Sequence, residues 1–129
     1  VPEKIVGKTV AAVNLRAKFS CNIIAIENGG IRIVEEGKGK KFLKEVEQVT
    51  FSGKYAAKGN QEILYITERC VFRLSQEDRL VLVEVAPGID IEKDILAHMD
   101  FKPEIAENVK VMDGAIFAEE WGGLKEMME

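Results

Sequence analysis

Short apolar runs separated by turn residues fill the first three-quarters of the chain, the pattern of strands rather than of long amphipathic helices. "TVAAVNL" (Thr9 to Leu15) reads as a buried strand. "CNIIAIE" and "GIRIVEE" flank Asn28-Gly29, and Asn-Gly between two β-rich runs predicts a hairpin, because both central turn positions take positive φ. Ile31 and Ile33 alternate with Arg32, as on a half-buried strand. In "KKFLKEVEQVTFSG", Phe42, Val46, Val49 and Phe51 satisfy helical and strand spacings at different points, and Glu47 to Phe51 is expected to be a strand. "GKYAAKGNQ" (Gly53 to Gln61) is a loop or a short helix. "ILYIT" and "CVFRL" are separated by Glu68-Arg69, and "SQEDR" then turns into "LVLVEVA", which Pro87-Gly88 ends.

The period changes after Pro87-Gly88. Asp90 is placed to cap a helix, and Glu92 suits the positive end of its dipole. Ile91, Ile95, Leu96 and Met99 form one apolar stripe, and Lys102-Pro103 closes the segment. The tail predicts a short strand at Val109 to Met112 and an amphipathic helical segment over Phe117 to Met128, broken at Gly122-Gly123. No repeat, low-complexity tract or linker divides the 129 residues, so a single domain over 1–129 is expected.

Composition narrows the function. At 47% hydrophobic and 31% charged residues, the chain has the make-up of a soluble globular protein. A net charge of −4 argues against nucleic acid or an anionic membrane as partner, since both demand a clustered basic surface. The one basic cluster, Lys38, Lys40, Lys41 and Lys44, reads as a solvated strand edge or turn. No apolar run approaches the roughly 18 residues that span a bilayer. The opening "VPEKIVGK" has neither an initiator Met nor the zones of a signal peptide, so a cytoplasmic segment excised from a longer polypeptide is expected. Cys21 and Cys70 lack metal-ligand spacing and read as two reduced, half-buried thiols. His98 is the single histidine, which rules out a His-rich metal site, and no Ser or Cys lies near it in sequence to suggest a triad.

Four blocks in order, "KKFLKEVEQVTFSGKYA" (Lys40 to Ala56), "QEILYITERCVFRL" (Gln61 to Leu74), "VEVAPGIDIEKDILAHMDFKP" (Val83 to Pro103) and "VKVMDGAIF" (Val109 to Phe117), resemble the C-terminal part of a family I coenzyme A transferase of the acetate/propionate type. "TERCVF" followed by "APGID" and "KDIL" is the most specific part, and the likeness runs roughly from Gly29 to Phe117. The resemblance implies an α/β, β-rich architecture, a mixed sheet with hairpins and one or two covering helices. It implies transfer of coenzyme A (CoA) between an acyl-CoA thioester and a short-chain carboxylic acid. A glutamate nucleophile forms an acyl-glutamyl anhydride and then a glutamyl-CoA thioester, and backbone N–H groups of a glycine-rich loop stabilise the oxyanion. No tightly bound cofactor or metal is implied; CoA is a substrate. The partner implied is the rest of the transferase chain or a partner subunit, in a homo-oligomer.

Glu27 in "IENGG" superficially resembles the family's Glu-x-Gly nucleophile motif. In the family that glutamate lies well upstream of the "TER" block, with a glycine-rich G-x-G-G-F loop between them. Here Glu27 is close to Glu68, no such loop intervenes, and Ile26 stands where the motif has Ser. Glu27 is therefore expected to be a hairpin residue, and the nucleophile to lie outside the chain, which alone would be inactive. Thr67, Glu68 and Arg69 are candidates for a substrate-adjacent, positioning role, against the plainer reading of a solvent-exposed hairpin turn. Tyr65 and Phe72 read as core. The competing functions are a non-catalytic β-rich interaction or regulatory domain, and a compact enzyme that uses Glu27.

Overall fold

A computed structural model describes residues 22–27, 29–37, 42–118, 120 and 123–128. The candidate strand at Thr9 to Leu15, Cys21 and the cluster Lys38 to Lys41 lie outside them. The first element is the hairpin predicted around Asn-Gly. β1 (Ile23–Glu27) pairs antiparallel with β2 (Gly30–Glu35), with Ile26 opposite Ile31 and Glu27 opposite Gly30. Gly29 holds φ +72 in the turn.

A four-stranded sheet follows, in the order β3 (Leu64–Ile66), β4 (Cys70–Leu74), β5 (Leu80–Val85), β6 (Glu104–Val111). The first three strands are antiparallel neighbours and β6 lies parallel to β5, so the sheet is mixed. Alternation along β4 divides its side chains. Cys70 and Phe72 face one side with Leu82 and Val85, and Ile95 and Met99 pack over them. Phe42 sets its ring edge-on to Phe72, with centroids 5.2 Å apart. Val71 faces the other side, in a smaller cluster with Ile31, Ala86 and Met112. Phe72 and Leu82 are fully buried and form the centre of the core.

The hairpin is seated on the sheet by a mutual close approach. Ile31 N–H donates to the Pro87 carbonyl at 2.8 Å. A Cβ on Gly30 would stand 2.4 Å from that same carbonyl oxygen, and one on Gly88 would stand 2.4 Å from the carbonyl oxygen of Ile31. Gly88 also has φ +88, which disfavours any L side chain.

Four elements depart from their expected form. Glu47 to Phe51 is not a strand: among the described residues nothing pairs with it, and Val49 is 73% exposed. Between that stretch and β3, Gly53–Lys58 takes one of its two expected forms, a short helix, α1, capped by the Ser52 hydroxyl, which accepts from Tyr55 N–H. Asp90 does cap the next segment, its Oδ1 accepting from Lys93 N–H at 2.8 Å, but the segment is a π turn (Ile91–Ile95) followed by a 3₁₀ turn (Leu96–His98). Arg69 binds the Asp94 carbonyl, which in a regular α-helix would serve the N–H four residues on, at His98. The stripe keeps its purpose all the same, since Ile95 and Met99 are buried. β6 begins just after Pro103 rather than at Val109. Its first half has little apolar periodicity, and is held by pairing with Val81 and Leu82 and by the Arg79–Glu104 ion pair. Past it come a 3₁₀ turn (Gly114–Phe117) and a short helix, α2 (Leu124–Met128): the segment expected from Phe117 to Met128 is helical after its expected break at Gly122-Gly123, while Ala118 and Glu120 before it are bends. No helix among the described residues is long and apolar enough to cross a membrane.

Two substitutions test this packing. Phe72→Ala should cost roughly 3–5 kcal/mol in urea unfolding, the range for emptying a buried aromatic site. Gly88→Ala should cost more than about 1 kcal/mol, from positive φ and the clash with Ile31. A Gly88→Ala midpoint equal to that of the parent chain would contradict the seating described.

Candidate functional site

The turn between β3 and β4 is built by Thr67. Its Oγ1 accepts from Arg69 N–H (3.2 Å) and Cys70 N–H (3.1 Å) and donates to the Cys70 carbonyl (3.0 Å). A hydroxyl bonded to its neighbours' backbone closes a tight turn, and this one fixes the direction in which Arg69 leaves the chain. Arg69 points inward and is only 4% exposed, not part of a solvated turn. All three nitrogens of its guanidinium are engaged. Nη1 and Nη2 donate to the two oxygens of Glu36 at 2.7 and 2.8 Å, Nη1 also to the Asp94 carbonyl at 2.7 Å, and Nε to Glu68 at 3.2 Å. Burial works against the charge on Arg69, but the hydrogen bonds and charges of Glu36, then Glu68, outweigh it, and the group is held above its ordinary value.

Two more side chains complete the cluster. His98 Nε2 lies 3.1 Å from Glu36 Oε1. Asn22 donates to Glu68 Oε1 at 3.4 Å and accepts from Gly37 N–H at 2.9 Å. Thr67, Glu68 and Arg69 thus share one wall of a cleft of about 250 Å³, whose other lining includes Phe42, Ile95 and His98. The cleft combines an apolar floor with an acidic rim. Its one arginine is already paired, so it offers no free guanidinium fork to a carboxylate.

Cys70 lies at the floor of the cleft. It is 1% exposed, fully rather than half buried, with its sulfur 3.5 Å from Thr67 Oγ1. Burial pushes its thiol up, and the Thr67 hydrogen bond only partly opposes this. A protonated, buried thiol is a poor nucleophile. Among the described residues no group of three or more His, Cys, Asp or Glu is placed to hold a metal ion.

Glu27 is not in this cluster. It ends β1, and Arg32, diagonal to it on the same hairpin face, grips both carboxylate oxygens at 2.7 and 3.2 Å. That hydrogen bonding, and next the Arg32 charge, hold its carboxyl below the usual value. The residues not picked out from sequence are Glu36, Asp94, His98 as a cleft residue, and Asn22. A tertiary pair such as Arg69–Glu36 leaves no local spacing signal, and Asp94 takes part through its backbone.

No family model matches the chain. Curated relatives do. It is 54% identical over 121 residues to a caffeate CoA-transferase of Acetobacterium woodii, a match covering 94% of this chain and 22% of that protein. It is 50% identical over 92 residues to the acetate CoA-transferase YdiF of Escherichia coli K12, covering 71% of this chain and 17% of that one. Among solved structures, the apoenzyme of the acyl-CoA transferase YdiF from Escherichia coli O157:H7 superposes with a TM-score of 0.74 at 45% identity, covering 81% of this chain and 20% of that one. The thioester complex of that transferase with CoA superposes with a TM-score of 0.75 over the same shares. The chain is a homologue of one segment of these CoA-transferases and shares the α/β, β-rich mixed sheet of the solved one, and it spans about a fifth of the length of the curated relatives it matches.

Glu36→Ala should destabilise the chain by roughly 3–5 kcal/mol, because it leaves the Arg69 charge buried without its partner. Cys70 supplies a pH test. Its folded thiol value lies above the unfolded one, so the unfolded state loses its proton first, and stability should fall as pH rises through about 8.5. Denaturation across pH 7–10 should show that fall in the parent chain and a smaller one in Cys70→Ala. Identical slopes would contradict the raised value.

Proposed function

We propose that this chain is the C-terminal part of a CoA-transferase catalytic half, and that the complete enzyme moves CoA between an acyl-CoA thioester and a short-chain carboxylic acid. The observation that supports it is the joint match to CoA-transferases, at 54% identity over 121 residues and at a TM-score of 0.75 to a CoA thioester complex. In the reaction this implies, a glutamate oxygen attacks the thioester carbonyl, the C–S bond breaks, and an acyl-glutamyl anhydride and CoA thiolate result. The thiolate then attacks the glutamyl carbonyl and expels the acyl group as its carboxylate, leaving a glutamyl-CoA thioester. The incoming acid reverses these steps. CoA serves as substrate, and no tightly bound cofactor takes part.

The nucleophile of this scheme lies outside the chain. In support, the Glu27 carboxylate is occupied by Arg32 at the end of a hairpin. Thr67, Glu68 and Arg69 act by position, as the wall of the cleft, without covalent chemistry. Acid selection lies largely elsewhere: relatives named for caffeate and for acetate both match this segment at 50% identity or more. The complete protein is a cytoplasmic homo-oligomer, in which this chain joins the remainder of the transferase polypeptide. Its acidic balance of −4 supports a partner other than nucleic acid or membrane.

The reading is tested by incubating the chain with acetyl-CoA, reducing with borohydride, and mapping the peptides by mass. No mass change is expected on any peptide, with circular dichroism confirming the fold. Reduction of Glu27 to the corresponding alcohol would overturn the reading and make this chain a complete small transferase.

A further inference from the structure

Among the described residues, the four-stranded sheet is covered on one face and open over much of the other. Ile95 and Met99 cover the face that carries Phe72 and Leu82. On the opposite face, Ile31 and Phe117 are the described residues that close the end near Val71 and Ala86. Beyond that end, Leu64, Val83 and Ala106 floor a groove of about 290 Å³. Leu64 is 49% exposed and Ile66, two residues along the same strand face, 73%. This is an unusual state for a sheet containing a parallel pair, β5–β6, because parallel pairs are ordinarily covered on both faces. An apolar sheet face is satisfied by packing against another layer.

Charge narrows the identity of that layer. Arg73 and Lys110 border the groove against a single acidic residue, Glu84, in a chain whose overall balance is −4. The groove is thus locally basic and suits apolar side chains flanked by carboxylates. Length points to its source, since the relatives extend over about five times the matched segment.

We infer that this groove seats an amphipathic segment, with an apolar stripe and acidic flanks, supplied by the remainder of the CoA-transferase polypeptide. The inference rests on the functional reading above. It is tested in a full-length chimera in which this chain replaces the matching segment of the Escherichia coli acetate CoA-transferase. The double substitution Leu64→Lys with Ile66→Lys should lower the melting temperature of the chimera by several degrees while leaving that of the separate chain unchanged. Met127→Lys, at a position 68% exposed and away from the groove, should change neither. In the chimera, hydroxyl radicals should oxidise Leu64 and Ile66 several-fold more slowly than in an unstructured peptide of the same sequence.

An unchanged chimera, or oxidation at the rate of the free peptide, would overturn the inference. So would an equal loss of stability in the separate chain, which would mean that the face is covered within this chain or by a second copy of it. CoA transfer from acetyl-CoA by the unsubstituted chimera separates the two readings. A chimera that shows the stability effect without transfer would count against the functional reading alone. One that transfers CoA and tolerates both lysines would count against the groove alone.

Discussion

The arrangement of the described hairpin, sheet and covering turns depends on one buried guanidinium. Arg69 is 4% exposed, and a charge so placed is tolerated only when it is paired and its donors are used. The donors reach three separate elements: Glu36 just past β2, the Asp94 carbonyl in the π turn, and Glu68 in its own turn. Hairpin, sheet and covering turns are thereby held to a common point. The second tie between hairpin and sheet is backbone to backbone, where Ile31 meets Pro87-Gly88 and only glycines allow the approach. The two ties lie at opposite ends of β2, so the hairpin is fixed in position and in rotation.

The same clamp sets what the cleft can do. Glu36 occupies both Nη atoms of Arg69, and the cleft keeps Glu68 and Asp94 along its rim. The cleft therefore offers an anion no open guanidinium. The buried Cys70 thiol in the cleft lining is pushed above its ordinary value by that burial.

Much of the fold was legible because local chemistry wrote it. Asn28-Gly29 marked the hairpin, the β-branched runs marked β3, β4 and β5, and Asp90 marked a cap that the structure retains. Failures came where distant contacts decided. Glu47 to Phe51 has strand composition but no strand beside it among the described residues. The expected α-helix after Asp90 became a π turn and a 3₁₀ turn where Arg69 draws on the Asp94 carbonyl. For the site, "TER" singled out Thr67, Glu68 and Arg69 through a family likeness, while their partners Glu36 and His98 lie far along the chain and left no spacing to read. The plainer expectation of an exposed turn failed at Arg69 because the Thr67 hydroxyl turns the backbone so that the guanidinium enters the protein.

The most direct test of this account is a double-mutant cycle at Arg69 and Glu36, using Arg69→Met and Glu36→Leu and reading unfolding free energies by urea denaturation. If the pair is the common tie, each single variant loses several kcal/mol and the double variant recovers a large part, with a coupling energy of at least about 2 kcal/mol. A coupling near zero, with the two losses simply adding, would show that Arg69 and Glu36 act independently and that the three elements are held together by packing alone.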